Sequence, residues 1–380
     1  MMSPKPPCGR YRNLRRIEAM KAKPCFLAAM TALAVATAPV HAWDAQVHEW
    51  PTADGAVFAQ RDANNLSPVV AFDAKGRSLM AFSSMMRGTA LPGRFHEMIC
   101  AGGSFVATGA GTWVGAKVSE SGEFTIEAVL MPALAEPKEP GVALAFANGE
   151  DRDFTLLQDR DGLSFSVADA EPIRLFAPKI GEANHVLISC DPRTWAAYLD
   201  GEQQASGDTP ADAARWGDRE IIMGSAWAGE QPWYGRMREI AIFPRALTAE
   251  EAAAEAAASS ALRAGHQPAT TIRFKGTLLR QAKTSSLEDI RPYTRSLSFA
   301  EYKVDEVLEG EWDKPTIMVA HWMIMDGKRL PIADREAGAK VELSVQPMEQ
   351  NPQLESSRRD EIEGADLDVP QFYSEPPIAP

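Results

Sequence analysis

The chain is predicted to be all-β: an antiparallel β-sandwich followed by a second, smaller β-barrel or sandwich domain. Short runs alternate apolar and polar residues with the period of two that a half-buried strand requires. Asn-Gly and Asp-Gly pairs fall between these runs, where two-residue hairpins need them. The runs follow one another without intervening helical patterns, so neighbouring strands are joined by tight turns and pair antiparallel.

The elements take the following order. Residues 43 to about 98 are turn-rich, with PTADG, ANNLSP, DAKGR and LPG between short apolar runs. Phe124, Ile126, Ala128 and Leu130 then share one strand face, and Val142, Leu144 and Phe146 share another before the Asn148-Gly149 turn. FTLLQ (154–158) leads to the turn Asp161-Gly162, and Leu163, Phe165 and Val167 alternate with Ser164 and Ser166. HVLISC (185–190) precedes Trp195, Ala197 and Leu199, which end on the turn Asp200-Gly201. Ile221 to Gly224 is the next strand, and Ile240 and Ile242 mark a closing strand that Pro244 stops, since it has no N–H to donate. Thr248 and Glu251 have the spacing of a capping box at a helix start. The Ala-rich stretch 249–263 is the helix, and Gly265 its terminator.

Residues 264–270 read as a linker, and 271–348 as the small β domain. Its strands are marked by Ile272, Phe274 and Leu278, by 297–308, by 317–324 before the turn Asp326-Gly327, and by Val341, Leu343 and Val345. Residues 349–380 are acidic and Pro-rich and are expected as a tail, lying on the surface or disordered.

Residues 1–42 have the layout of a signal peptide, with Met20 an alternative start that would leave 1–19 untranslated. Lys21 and Lys23 precede an apolar run from Cys25 to Val40, and Val40-His41-Ala42 offers a small-residue cleavage site. The run is shorter than the roughly 20 residues that span a bilayer, so no membrane span is expected after cleavage. Export implies a periplasmic or secreted protein. Cleavage removes seven Lys and Arg with one Glu and carries the net charge from −13 to −19. A surface so acidic repels nucleic acid. Cys100 and Cys190 remain; an exported chain permits a disulfide between them, worth about 4–5 kcal/mol in the chain-entropy model. Alternatively both are small buried apolar residues.

Four segments resemble laminin-G-like domains of the concanavalin A-like jelly-roll type over residues 43–263. They are EFTIEAVL (123–130), HVLISC with AAYLDGEQ (185–203), EIIMGS (220–225) and GRMREIAIFPRALTAEE (235–251). The resemblance implies a jelly roll, a fold that hosts lectins, glucanases and adhesion modules. In the second domain, YKVDEVLEG (302–310) resembles a run of small netrin-like or oligosaccharide-fold barrels, without the cysteines of that family.

No catalytic residues are assigned. Glu123 and Glu127 share a strand face but lie about 13 Å apart at 3.3 Å per residue, whereas a retaining glycosidase pair needs roughly 5–5.5 Å. No GxSxG elbow, P-loop or dinucleotide fingerprint occurs, and two cysteines make no zinc site. No cofactor is expected save calcium. Asp151 and Asp153 flank Arg152 in a loop that could hold Ca²⁺, as many laminin-G-like domains do, or could be an ordinary charged loop. The loop SAWAGEQPWYG suggests a sugar platform, with Trp227, Trp233 and Tyr234 as flat faces and Glu230, Gln231 and Arg236 as hydrogen-bonding groups. The alternative is that these aromatics cap the core. The function expected is exported, non-catalytic recognition of carbohydrate or an envelope partner. A scaffold without a sugar site is the second reading, and a glycan-active enzyme the third.

Overall fold

Three sheets account for nearly all of the regular structure in a computed structural model that describes residues 55–60, 69–72, 78–81, 84–168, 170–210, 212–365 and 369–379. The expected leader 1–42, its alternative start at Met20, and the first residues of the expected jelly roll lie outside the described residues.

A ten-stranded sheet and a seven-stranded sheet form the sandwich. In the first, Phe124–Pro132 lies between Asn184–Cys190 and the closing strand Tyr234–Phe243, antiparallel to both. In the second, Gly141–Asn148, Asp151–Asp159 and Gly162–Val167 form a meander, with Glu220–Met223 on its other side. The alternation read from sequence decides what each strand buries. Phe124, Ile126, Phe146, Phe154, Phe165, Val186 and Ile188 all fall in one core cluster between the sheets. Trp216 sits at its centre, its ring 4.5 to 6.3 Å from those of Phe146, Phe124 and Phe154. The turn Asp200-Gly201 has positive φ at both residues, 52° and 85°, as a two-residue hairpin of the primed type demands. A side chain at Gly201 would also stand 3.1 Å from the Ala253 backbone, so glycine permits the close approach of the helix.

That helix, Ala249–Ala264, begins with the predicted capping box: Thr248 accepts from the Glu251 N–H, and the Glu251 side chain accepts from the Thr248 N–H. It covers the outer face of the ten-stranded sheet, where Ala252 packs with Leu187, Tyr198, Ala241 and Phe243. Gly265 ends it in the right-handed region at φ −76°, not in the left-handed one that a glycine terminator usually supplies. A second helix, Ala110–Ser121, buries Val114 and Val118 in the sandwich core. The sequence gives it little amphipathic contrast, because Ala110, Gly111 and Gly115 share its buried face with the two valines. Gly111 and Gly115 instead let it press against the backbone of residues 217–219.

The third sheet is a barrel. Ile272–Gln281 pairs with Ser296–Glu309, which pairs with Thr316–Met325; Lys340–Pro347 returns to pair with Ile272–Gln281. The strand that closes the ring is Gln371–Tyr373, between Thr316–Met325 and Lys340–Pro347. The expectation of a loose tail from residue 349 is therefore corrected. Acidic, Pro-rich composition hid a three-residue strand whose Phe372 and Tyr373 are buried, and Arg359–Asp360 adds a further edge strand. Five strands so closed match the strand count of oligosaccharide-fold barrels.

Sandwich and barrel share a core. Leu91 and Ile99 pack with Leu297, Trp322, Met325, Leu354 and Tyr373. Polar pins flank this contact: Arg295 donates to the carbonyls of Ala90 (2.6 Å) and Gly88 (3.1 Å), and the Gly88 N–H donates to Asp326 Oδ2 (2.9 Å). Among the described residues no helix is long and apolar enough to cross a membrane.

Candidate functional site

A groove of about 870 Å³ lies on the outer face of the seven-stranded sheet. Inward Leu163, Phe165 and Val167 oblige Ser164 and Ser166 to point outward, and the register places them beside outward groups of their neighbours. Thr155 is opposite Ser166, Leu157 opposite Ser164, and Ser164 opposite Arg174. Hydroxyls, one leucine and a guanidinium therefore share the floor. Arg174 grips Asp159 with both terminal nitrogens, at 2.8 and 3.1 Å, and this contact holds the Asp159 carboxyl below the usual carboxylate range.

One wall is the loop 226–232, bound back onto the sheet by a hydrogen bond from Val142 N to Gln231 O and a bridge between Val142 and Pro232, and braced within itself by a hydrogen bond from Ala226 N to Glu230 O. Trp227 rests against a patch of small apolar residues around Val142, Ala145 and Ala226, and with Glu230 and Gln231 lines the groove. Gln231 (φ 46°) and Ala168 (φ 48°), both lining it, hold left-handed backbone that such residues seldom adopt, a form of strain that collects at ligand clamps.

The platform expected from sequence is thus divided. Trp227, Glu230 and Gln231 are at the groove, but Trp233 is corrected to a core residue, 2% exposed, its Nε1 donating to Gln158 Oε1 at 2.8 Å. Strand alternation at the sheet entrance turns it inward, where the bare Gly235 gives its ring room. Tyr234 stands over Gly102, and Arg236 donates to Glu97 (2.7 Å) and Glu375 at the barrel junction, away from the groove. Arg152, Thr155, Ser164, Ser166 and Arg174 are the groove residues that the aromatic cluster did not indicate. The outward half of the serine alternation was the available signal.

Asp151 and Asp153 are held by Arg219. Its side chain is 3.2 Å from Asp153 and 3.8 Å from Asp151, and Asp153 also accepts from the Gly217 N–H. Arg152, which the two aspartates flank in sequence, lines the groove instead. Among the described residues no group of three or more His, Cys, Asp or Glu is gathered as a metal site. The disulfide is corrected as well: Cys100 and Cys190 are both free and buried. Cys100 lies against the Met223 carbonyl and Cys190 against Thr209. Burial pushes the Cys100 thiol up to about 12 and the Cys190 thiol up to about 11. Glu123 caps the Ala246 N–H, and Glu127 is buried against His185 at 2.9 Å, so neither carboxylate lines the groove.

Residues 105–253 match the family model Laminin_G_3, described as the concanavalin A-like lectin/glucanases superfamily. No curated protein matches the sequence. Among solved structures, the chain is similar to a Trypanosoma rangeli sialidase in complex with sialic acid, at 16% identity and TM-score 0.41. That match covers 55% of this chain and 33% of the sialidase, so the chain spans about one third of that protein's length. Domain 4 of AbnA, a GH43 extracellular arabinanase from Geobacillus stearothermophilus in complex with arabinotriose, is similar at 15% identity and TM-score 0.40, covering 53% of this chain and 98% of that one. A heptameric SAP-like pentraxin from Limulus polyphemus matches at 15% identity and TM-score 0.31, over 35% and 69%. Over residues 105–253 the antiparallel sandwich is thus similar to the concanavalin A-like lectin/glucanases superfamily, and a second β domain follows in the same chain.

Proposed function

We propose that the protein is an exported, non-catalytic recognition protein that binds carbohydrate in the groove between the outer face of the seven-stranded sheet and the loop 226–232. The observation that carries this is the make-up of the groove: Trp227 at the rim, the Ser166 hydroxyl on the floor above the buried Thr155 and Ser164, and Gln231 and the Arg174–Asp159 pair along its lining. A sugar ring offers an apolar face to an indole and hydroxyls to such groups. Of the carboxylates that line the groove, Asp159 is engaged by Arg174, which favours its ionised form and makes it unsuited to donate a proton. The lectin/glucanase family match of residues 105–253 supports a glycan ligand.

The test is a glycan array followed by calorimetric titration, with Trp227→Ala and Arg174→Ala as controls. Wild type is expected to retain a defined glycan, and either variant to weaken it about tenfold or more. No retained glycan overturns the sugar reading, and release of reducing sugar overturns the non-catalytic one. The shared core of sandwich and barrel favours a second reading, a rigid scaffold without a sugar site, which an empty array would leave standing. Export is tested by N-terminal sequencing of the mature protein, expected to begin near Trp43.

A further inference from the structure

A second cavity of about 260 Å³ opens where sandwich, barrel and the segment joining them meet, and none of the groove's lining residues contributes to it. Its walls carry four arginines, Arg94, Arg236, Arg238 and Arg263, in a chain whose net charge is −13. Two carboxylates line it with them. Glu97 is 3% exposed and accepts from both Arg236 and Arg238, and Glu375 accepts from Arg236. A third, Glu239, is 3.5 Å from Arg263. Buried ions are costly unless matched, yet these groups line an open cavity instead of closing over it.

The remaining wall is flat and aromatic. Phe95 and His266 are stacked with ring centroids 3.9 Å apart, and the Arg94 guanidinium sits 4.8 Å from the Phe95 centroid while donating to the Gln267 carbonyl at 3.1 Å. Phe95 is held at φ 54°, a left-handed conformation that costs a bulky residue energy. Pre-set guanidiniums of this kind recognise planar or tetrahedral oxyanions by paired hydrogen bonds.

We propose that this junction is a binding site for a small oxyanion-bearing molecule, a carboxylate or a phosphate, recognised by Arg94 and Arg238 beside the Phe95–His266 wall. Glu97 and Glu375 act as positioning residues that hold Arg236 and Arg238 in place. The site is separate from the glycan groove and does not depend on it.

The test is calorimetric titration of the full chain with inorganic phosphate and, separately, with glucuronate, on wild type and on Arg238→Gln, Arg94→Gln and Trp227→Ala. Wild type is expected to bind at least one anion saturably at 1:1, with a Kd of about 1 mM or tighter. The two arginine variants should each lose about tenfold in affinity, and Trp227→Ala should lose none. Response to phosphate alone, or to glucuronate alone, supports the site and names the anion. Arg238→Gln strips a partner from buried Glu97; should it fail to fold, Arg94→Gln decides, because its polar contact is with a linker carbonyl. No saturable binding of either anion overturns the proposal. So does binding that survives Arg94→Gln, or binding abolished by Trp227→Ala, which would assign the anion to the groove.

Discussion

Replacing Trp233 by alanine separates a structural indole from a binding one. The side chain is 2% exposed, lies against Gly235, and donates to Gln158 Oε1 at 2.8 Å, while Gln158 Nε2 donates to the Leu134 carbonyl at 2.7 Å. Truncating a buried tryptophan to alanine costs about 3–5 kcal/mol. An acceptor left unpaired in the interior costs about 1–3 kcal/mol when its donor is removed. The two terms overlap, because the void relaxes around the amide, so a loss of about 4 kcal/mol is expected for Trp233→Ala, or about 8–16 °C in Tm for a domain of this size. Trp233→Phe retains most of the ring and loses the hydrogen bond, for about 1–3 kcal/mol. Trp227→Ala, on the groove rim, should shift stability by no more than about 1 kcal/mol. Urea unfolding followed by far-UV circular dichroism measures all three. A Trp233→Ala protein within about 1 kcal/mol of wild type that has also lost its glycan would refute the assignment and return Trp233 to the site.

Three other outcomes follow from burial and pairing. Both thiols should resist an alkylating reagent at pH 8 in the native protein and react fully in denaturant, since burial holds Cys100 near 12 and Cys190 near 11; silence in denaturant without reductant would mean a disulfide. His321 is buried with its Nε2 3.0 Å from the Tyr302 hydroxyl, and burial, with Arg335 nearby, lowers it to about 3 from 6.5. The unfolded chain therefore binds the extra proton, and stability present above 6.5 is lost as pH falls from there toward 3. His321→Gln should flatten that slope in unfolding measured against pH, and an unchanged slope would refute the assignment. Ending the chain before residue 371 removes the strand that closes the barrel together with buried Phe372 and Tyr373, whose hydroxyl accepts from Trp322 Nε1 at 3.1 Å. Losing those two buried rings should cost at least about 3–5 kcal/mol, and unaltered denaturant unfolding would show that the closing strand contributes nothing.

Much of the sandwich was legible because its alternation is local. Each strand's inward face can be counted off without knowing its partner, and the Asp-Gly turns and the capping box at Thr248 and Glu251 need only neighbours in sequence. Less of the site was legible. The aromatic cluster pointed to the right loop, and Trp227, Glu230 and Gln231 do line the groove. Trp233, six residues on, is buried because it enters the sheet with its face toward the core. The hydroxyl floor was written into the outward half of LSFSV, but serine on a strand face is too common to single out.

By itself, the sequence determined the strands, their inward faces, the hairpin turns and the helix that follows the closing strand, all matters of near-neighbour chemistry and period-two patterning. Tertiary structure alone decided that Cys100 and Cys190 stay apart, that Arg219 takes the two aspartates, that the Pro-rich end closes a barrel, and that arginines from separate segments meet at one junction. The reason is physical: each depends on groups distant in the chain arriving at one place. Only the packing of the sheets sets those distances.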